Sequence, residues 1–571
     1  MIIERQKQRL FLQDELKKQT DEFKNKLESS AQDLLLDKHE LFVAIYIKYM
    51  ENGEMLLKFP ASRPLPRKNE HFYCFTLPDS LRRYKDWGSQ TYGDLIKKET
   101  QATEIRCIWH SSSDDPLFVL AGFKGGSEDF KNYIEKTPGG VVVLGPQVPP
   151  FEYLANLEKV TYSVHDKCSE ILDANYSRLP WKSELVSTKD DMTSIVMEQL
   201  AKFDSVIIQG PPGTGKTFRI AALCEKLCSN GYSVLVTALT NRALMEVAEK
   251  LKDSLIKDKK VYKTNLSTDE SKEVRGILSA EKMFSIPGKL MLSTFYISSG
   301  SAAKNYQGPL YDYVIVDEAS QAFLTMLAAA NMLGKKNLWV GDVCQMPPIV
   351  KTSKDRIRKQ GYEPLIDGFD TLTVSNKFKT YQLCDTYRLG ERAAAFTGLF
   401  YNGNLKSMSD GKYLQVERQD GPIIVPMDLP AGDPTPLEAI QKAVTIASEV
   451  LNKDKKCRIA ILSQLIKTTG ALQVEVARQL GSINNILVDT VARVQGLTRD
   501  VTIYVIPDTD AKLYSLEKRL FNVATSRAIR NTYIICPKSI AEYTYMSAEV
   551  RQYLRKLYNE NNINQIVIPQ I

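Results

Sequence analysis

The sequence has little of what stabilises secreted or membrane-spanning proteins. Its 571 residues include nine cysteines and no Cys-x-x-Cys pair, which indicates reduced thiols in a reducing compartment. The longest apolar run, residues 323–333, is too short to span a bilayer. Charged residues begin at Glu4, so the start lacks the apolar core of a signal peptide. We therefore predict a soluble, cytoplasmic protein with no membrane segment.

Histidine is also scarce, and two of the four histidines form the one pattern with metal-ligand spacing. The pattern is His71-x-x-Cys74 followed by Cys107-x-x-His110, which in principle suits a tetrahedral zinc site. Both stretches have the composition of β-strands, in which residues three positions apart face opposite sides of the sheet. The interpretation favoured here is therefore buried strand residues, with zinc binding as the alternative.

The composition is otherwise that of an ordinary globular protein, with 43% hydrophobic and 25% charged residues. These values exclude a wholly disordered chain and a collagen-like chain. The length predicts roughly three to four domains. The net charge of +7 is compatible with a nucleic-acid partner but does not establish one.

Two helical segments are predicted to flank a β-rich module. Residues 1–40 are predicted to form a stalk helix, because Leu12, Leu16, Phe23, Leu27 and Leu34 recur at steps that make one apolar seam. Residues 149–185 are predicted to hold a second stalk helix and a linker. The two helices are expected to pair antiparallel within the chain, although the same seams would suit a dimeric coiled coil.

Between the helices, residues 41–148 consist of short apolar runs separated by turn signals such as Asn52-Gly53. This pattern predicts an accessory domain of barrel-like form. From residue 186 onward, apolar strands alternate with helices, which is typical of parallel α/β sheets. We predict two such domains in tandem, residues 186–375 and 376–571.

The first motif that indicates chemistry is a phosphate-binding loop. Its residues are Gly210, Pro211, Pro212, Gly213, Thr214, Gly215, Lys216 and Thr217. The loop follows an apolar strand and precedes a helix, so its backbone N–H groups are expected to bind phosphate. Lys216 is predicted to neutralise the β- and γ-phosphates, and Thr217 to bind Mg²⁺. The alternative is a glycine-rich turn without a ligand.

A second element, Asp317-Glu318, ends another apolar strand about 100 residues later. Asp317 is predicted to hold Mg²⁺, and Glu318 to polarise the attacking water. Together with the phosphate loop, this pair predicts nucleotide hydrolysis.

Further motifs follow in a fixed order and carry a family resemblance. They are Asp317-Glu-Ala-Ser-Gln321, Gly341-Asp-Val-Cys-Gln345-Met-Pro-Pro348, Thr386-Tyr-Arg388, Val488-Asp-Thr490, Gln495-Gly496 and Asn522-Val-Ala-Thr-Ser-Arg527-Ala. The series, over residues 190–540, resembles the superfamily 1 helicases, most closely the up-frameshift-type group of subfamily 1B. The resemblance implies two RecA-like domains with parallel sheets and a barrel-like accessory domain on a helical stalk.

The resemblance also implies roles for residues in the nucleotide site. Gln345 is expected to link the γ-phosphate to the cleft, and Tyr387 to stack on adenine, with Gly496 also near the nucleotide. Arg388 and Arg527 are expected to act as arginine fingers that stabilise charge on the transferred phosphoryl group. The family usually has an Asn-x-x-Gln element before the phosphate loop, and residues 189–194 lack that glutamine.

The nucleic-acid contacts implied by the resemblance are small polar side chains at strand ends. They are Thr240, Asn241, Ser293, Thr294 and Thr490. Such groups suit hydrogen bonds to phosphate and sugar, which hold a strand without reading its sequence. Each is equally consistent with a helix N-cap.

These observations predict an ATP- and Mg²⁺-dependent helicase or translocase on single-stranded RNA or DNA, moving 5′→3′ by resemblance. One alternative is an ATP-gated nucleic-acid clamp that does not separate strands. The other is a nucleotide-switch scaffold that binds no nucleic acid.

Overall fold

The chain divides into two compact units. One comprises Met1–Leu16, Glu152–Leu472 and Leu487–Ile571, and the other Lys17–Phe151 and Gln473–Ile486. The computed structural model describes residues 4–68, 70–174, 176, 183–187, 190–251, 253–304, 309–375, 377–409, 420–481, 485–494, 496–510, 512–542 and 545–560. Within these ranges, no helix is both long enough and apolar enough to cross a membrane.

The smaller unit contains a closed barrel of six antiparallel strands, as predicted. In spatial order the strands are Phe42–Tyr49, Met55–Pro60, Phe118–Gly125, Gln101–Ser112, His71–Thr76 and Val141–Gly145. Their inward side chains form a core that includes Phe59, Phe72 and Phe123. The helices Tyr92–Lys97 and Glu128–Ile134 connect the strands.

The histidine–cysteine pattern lies in this barrel. Cys74 and Cys107 are both buried in its core. The expectation that Cys107 and His110 face opposite sides is wrong, because a bulge between Cys107 and Trp109 shifts the register. The Cys107 Sγ lies 3.4 Å from His110 Nε2, which is also 2.7 Å from the Pro66 carbonyl oxygen.

Burial keeps both Cys107 and His110 uncharged. It raises the pKa of Cys107 to about 12 and lowers that of His110 to about 4. Over the described ranges, no group of three or more Cys, His, Asp or Glu side chains is placed to hold a metal ion.

The predicted stalk helices are each shorter than expected. A helix spans Arg5–Glu28, and a second one, Ala31–Leu36, begins because the Ser30 hydroxyl accepts a hydrogen bond from the Asp33 N–H. The segment after Pro150 likewise forms two helices, Phe151–Val160 and Asp166–Leu172, the second of which is capped by His165.

Within the larger unit, the start of the first helix pairs antiparallel with this later segment. Arg5 Nε lies 2.5 Å from the Asp173 carboxylate, while Gln13 Nε2 lies 2.6 Å from that of Glu158. The residue numbers therefore rise along one partner as they fall along the other, which is the antiparallel pairing predicted within the chain.

The larger unit contains a nine-stranded parallel sheet. In spatial order its strands are Leu278–Ala280, Val261–Thr264, Leu290–Thr294, Val234–Ala238, Tyr311–Val316, Gly334–Gly341, Ser205–Gln209, Lys379–Leu383 and Glu184–Val186. Strand Lys379–Leu383 hydrogen-bonds to Ser205–Gln209 and so belongs to this sheet. The domain boundary predicted at residue 375 therefore lies before the strand of this sheet that comes last in the sequence.

A second sheet of five strands follows in the same unit. In spatial order the strands are Gly421–Met427, Ala528–Pro537, Arg499–Val505, Ile459–Ser463 and Ile486–Thr490. A short pair, Asp385–Thr386 with Lys406–Ser407, lies between the two sheets in sequence. The predicted fold class of two parallel-sheet domains with a barrel is confirmed.

Helices connect and cover these strands. Those of seven or more residues in this part of the chain are Met192–Lys202, Lys216–Ser229, Asn241–Lys250, Phe295–Lys304, Leu324–Leu333, Lys354–Gln360, Gly368–Val374, Glu391–Thr397, Leu437–Lys453, Ile466–Leu480, Lys518–Thr525 and Ala548–Glu560. Carboxyl ends of neighbouring parallel strands meet at one edge of a sheet, where ligands commonly bind. In the nine-stranded sheet, the segments that begin at this edge include those carrying Gly210, Asp317 and Asp342.

Candidate nucleotide site

The phosphate loop has the backbone conformation that its glycines permit. Gly213 and Gly215 both have φ of +76°, in the left-handed region. The helix begins at Lys216, whose Nζ donates a hydrogen bond to the Gly210 carbonyl oxygen at 2.8 Å. A Cβ on Gly210 would lie 2.4 Å from the Lys216 side chain. The lysine is therefore folded back over the loop, where a phosphate group would meet it.

The loop is held by the segment that follows strand Lys379–Leu383. The Tyr387 N–H donates to the Gly213 carbonyl at 2.8 Å, and the Thr386 hydroxyl donates to the Pro212 carbonyl at 2.9 Å. The Tyr387 side chain is 53% exposed beside the loop. Its ring is thus available for a stacking contact with a base.

Asp317 and Glu318 are placed as a close acidic pair. Asp317 is buried, and burial together with the charge of Glu318 raises its pKa to about 7, against an opposing effect of Lys216. Glu318 adopts φ of +50°, and its buried Oε2 has no hydrogen-bond partner among the described residues. An unpaired carboxylate oxygen in this position is suited to bind a water molecule.

The donor set fits a hard divalent cation. Mg²⁺ prefers oxygen ligands, and both the Asp317 carboxylate and the Thr217 hydroxyl are of that type. A cation would also offset the repulsion that raises the pKa of Asp317.

Two arginines lie near the Glu318 carboxylate: Arg388 is partly buried against the phosphate loop, and Arg527 is buried on the side of the second sheet. Burial and the nearby charge of Arg527 lower the pKa of Arg388 to about 9, while Glu246 and Glu318 act to raise it. Burial also lowers the pKa of Arg527, against the effect of Glu318. Two guanidinium groups brought close together with little access to solvent favour the binding of an anion.

The arginines are oriented by contacts with both sheets. Arg527 Nη2 donates to Gln345 Oε1 at 3.2 Å, and its Nε donates to the Val523 carbonyl at the same distance. Arg388 Nη1 donates to the Ser526 carbonyl at 3.4 Å. The structure therefore brings Gln345, Arg388 and Arg527 together at one cleft, with Glu318 electrostatically coupled to both arginines.

The five expected nucleic-acid contacts do not share one environment. Thr240 and Asn241 are exposed, and the Thr240 hydroxyl caps a helix by accepting from the Ala243 N–H at 3.2 Å. Ser293 is fully buried, and its hydroxyl lies 3.0 Å from that of Thr264. Thr294 and Thr490 are also buried.

Gly496 is exposed with φ of +83°, and its neighbour Gln495 lies outside the described residues. The region expected to read adenine is described from residue 190 onward. There, Asp191 caps the helix Met192–Lys202 by accepting from the N–H groups of Thr193 and Ser194.

Sequence reasoning assigned no role to three residues that lie behind this site. They are Asp342, Tyr401 and Asn522, all buried and joined by hydrogen bonds. Asp342 and Asn522 lie within two of the ordered motifs, and this position in the sequence could have indicated that they belong to the site. Tyr401 stands in none of them.

The chain is similar in sequence to several known proteins. Residues 193–351 match a family model described as an AAA domain. The chain is 28% identical over 218 residues to "DNA replication ATP-dependent helicase/nuclease DNA2" of Saccharomyces cerevisiae, covering 37% of this chain and 14% of that protein. The DNA2 protein of Gallus gallus is 26% identical over 370 residues, covering 60% and 35%.

The protein of the same name from Bos taurus is 25% identical over 417 residues, covering 64% of this chain and 38% of that protein. The chain thus spans about a seventh to two fifths of the length of these relatives. Among solved structures, an arterivirus nonstructural protein 10 (helicase) aligns over 82% of this chain and 77% of its own, at 14% identity and a TM-score of 0.36. A likeness at that level carries no functional weight.

The assignment therefore rests on the ordered motifs, the matched domain and the named relatives together. The phosphate loop and its acidic partner lie on one parallel sheet, Arg388 lies against the loop, and Arg527 reaches the cleft from the side of a second sheet. In its ordered motifs, its matched domain and its named relatives, the chain is similar to the superfamily 1 helicases, which share a tandem RecA-like motor.

Proposed function

We propose that this chain hydrolyses ATP and uses the cycle to move along single-stranded nucleic acid as a helicase or translocase. The observation that carries the proposal is the convergence of Lys216, Glu318, Gln345, Arg388 and Arg527 on one cleft between two sheets. A cleft that binds one anion from both sides closes when the anion is present. Hydrolysis removes the γ-phosphate that both sides of the cleft bind, and the cleft opens. The two sheets therefore move relative to each other as the nucleotide state changes.

Each residue has a chemical role in this proposal. Lys216 neutralises the β- and γ-phosphates, while Glu318 orients the attacking water and accepts its proton. Gln345 helps to orient that water. Arg388 and Arg527 stabilise negative charge on the transferred group, and Tyr387 stacks on the base. Mg²⁺, held by Thr217 and Asp317, would supply positive charge beside the phosphate oxygens.

We propose DNA as the strand, because the relatives are named as DNA replication helicases. The 5′→3′ direction is proposed from the family resemblance alone. The barrel and the helical segments on either side of it are proposed to form an accessory domain of the motor.

The test measures ATP hydrolysis with single-stranded DNA, single-stranded RNA or no strand, each with Mg²⁺ and with EDTA. Strand displacement is measured in parallel on duplexes with a 5′ or a 3′ overhang. We expect Mg²⁺-dependent hydrolysis stimulated by DNA, and displacement only from the 5′ overhang. Stimulation by RNA alone would replace the substrate, and hydrolysis without displacement would indicate a clamp. Hydrolysis that ignores every strand would contradict the proposal.

A further inference from the structure

A buried carboxylate, that of Asp342, collects four hydrogen bonds directly behind the nucleotide cleft. Its Oδ1 accepts from Gln209 Nε2 at 2.6 Å and from the Cys344 N–H at 3.0 Å. Its Oδ2 accepts from Gln345 Nε2 and from the Tyr401 hydroxyl, both at 2.8 Å. Gln345 and Tyr401 therefore share one oxygen of a charge that has no exposure to solvent.

Tyr401 reaches this carboxylate from the core of the second sheet. It is fully buried in the cluster that contains Phe396 and Phe521, whereas Asp342 directly follows strand Gly334–Gly341 of the first sheet. The bond between them thus joins the two halves of the motor. Asn522 reinforces it, because its Nδ2 donates both to the Tyr401 hydroxyl oxygen at 2.9 Å and to the Cys344 carbonyl at 2.8 Å.

The direction of each hydrogen bond follows from the donors available. An amide N–H₂ can only donate, so the Tyr401 oxygen accepts from Asn522 and its single proton points to Asp342. Burial raises the pKa of Tyr401, so the hydroxyl keeps that proton. The hydroxyl therefore serves as donor and acceptor at once.

These contacts fix the orientation of the Gln345 side chain. Its Nε2 is held by Asp342, and its Oε1 accepts from Arg527. One end depends on a carboxylate that Tyr401 also holds, and the other depends on an arginine of the second half. Separation of the two halves would withdraw Tyr401 and Arg527 together, so Asp342 would lose one of its four donors and Gln345 would lose the partner of its Oε1.

We propose that Tyr401 is a positioning residue, whose hydroxyl sets the orientation of Gln345 through Asp342 when the two halves of the motor close. The inference rests on the proposed function, since it concerns the water that Gln345 helps to orient. Tyr401, which lies outside every ordered motif, would thereby link closure of the cleft to hydrolysis.

The test compares Tyr401→Phe with wild type in strand-stimulated ATP hydrolysis. The change keeps the ring and removes only the hydroxyl, so we expect kcat to fall about tenfold with the KM for ATP within about twofold. Tyr504→Phe is the matched control. Its hydroxyl is buried in the same cluster and donates to the Ser515 carbonyl at 3.0 Å, away from Asp342. We expect Tyr504→Phe to keep the wild-type kcat.

A double-mutant cycle separates positioning from a general loss of stability. If Tyr401 acts through Gln345, Tyr401→Phe has no further effect on kcat in a Gln345→Ala background. Multiplied losses in the double variant would overturn the inference, as would equal losses in Tyr401→Phe and Tyr504→Phe. An unchanged kcat in Tyr401→Phe would overturn the inference and leave the proposed function standing. Absence of hydrolysis in the wild type would contradict both.

Discussion

The nucleotide cleft and the expected strand contacts differ in how their polar groups are used. In the cleft, the partly buried Arg388 lies near the buried Arg527, and the Glu318 Oε2 has no partner among the described residues. Among the expected strand contacts, Thr240 caps a helix and Ser293 pairs with Thr264. The cleft therefore contains charged groups that are available to a ligand. Among the expected strand contacts, some hydroxyls are already hydrogen-bonded within the fold.

This difference indicates which polar groups allow a functional site to be inferred from the structure. Burial of like charges costs free energy that a ligand of opposite charge can offset, so such an arrangement indicates a candidate site. A hydroxyl that is satisfied within the fold gives no such indication.

The largest expected effect is on hydrolysis at the phosphate loop and the acidic pair. Lys216→Ala removes the charge that neutralises phosphate, and Glu318→Gln removes the proton acceptor. We expect kcat to fall on the order of 10²-fold or more in each. Isothermal titration with a non-hydrolysable ATP analogue should show that Glu318→Gln still binds. Full turnover in Glu318→Gln would exclude that residue from the mechanism.

The arginines should give the next largest effect. Arg388→Ala and Arg527→Ala each remove positive charge from the transferred phosphoryl group, so we expect kcat to fall about 10²-fold with little change in strand affinity. Arg530→Ala is the control, since Arg530 pairs with Asp454. A variant that lost strand binding but hydrolysed ATP normally would show that its arginine belongs to the strand site.

A pair of glycine substitutions tests how tightly the cleft is built. Gly213 and Gly215 share φ of +76°, so alanine at either position costs about 1–2 kcal/mol of backbone strain. A Cβ on Gly213 would lie 2.4 Å from the Arg388 Cβ, whereas a Cβ on Gly215 would meet no atom of the described residues within 4 Å. We expect Gly213→Ala to reduce the free energy of unfolding by about 1–3 kcal/mol more than Gly215→Ala, measured by urea denaturation without nucleotide. Equal losses would mean that the loop moves away from Arg388 at little cost.

Strand binding itself should be nearly independent of sequence. If about three to five phosphates are neutralised, the slope of log K against log salt concentration is roughly −2 to −3.5. The measurement is a salt titration on two unrelated sequences, with and without an ATP analogue. Equal affinity in every nucleotide state would contradict the motor, and a strong preference for one sequence would indicate a specific binding module.

The sequence was most informative where function depends on short spacing. The phosphate loop and the alternation of strands and helices after residue 186 follow from local patterns of glycine and apolar residues. Two features did not follow from them, because each depends on neighbours distant in sequence. Strand Lys379–Leu383 joins the first sheet through its pairing with Ser205–Gln209, and Ser293 is buried by the sheet around it.

The network behind the cleft was beyond sequence reasoning for the same reason. Tyr401 is 59 residues from Asp342, and no motif marks it. A break in the predicted stalk helix was closer to being readable, since Ser30 is a favoured N-cap residue and Asp33 follows three positions later. There, the apolar seam favoured one continuous helix, and the local capping signal prevailed.

The smallest effect is expected at an exposed residue among the expected strand contacts. Asn241 is exposed at the first position of its helix, so Asn241→Ala removes an amide without disturbing the core. We expect strand affinity to fall about two- to threefold, as is typical when one neutral hydrogen bond to the backbone of a strand is lost. Ser293→Ala should leave affinity unchanged, because its hydroxyl is directed to Thr264 inside the sheet. Fluorescence anisotropy with a labelled oligonucleotide measures both. A larger loss in Ser293→Ala than in Asn241→Ala would show that the strand reaches the sheet after a rearrangement, and would reverse the distinction between the two regions.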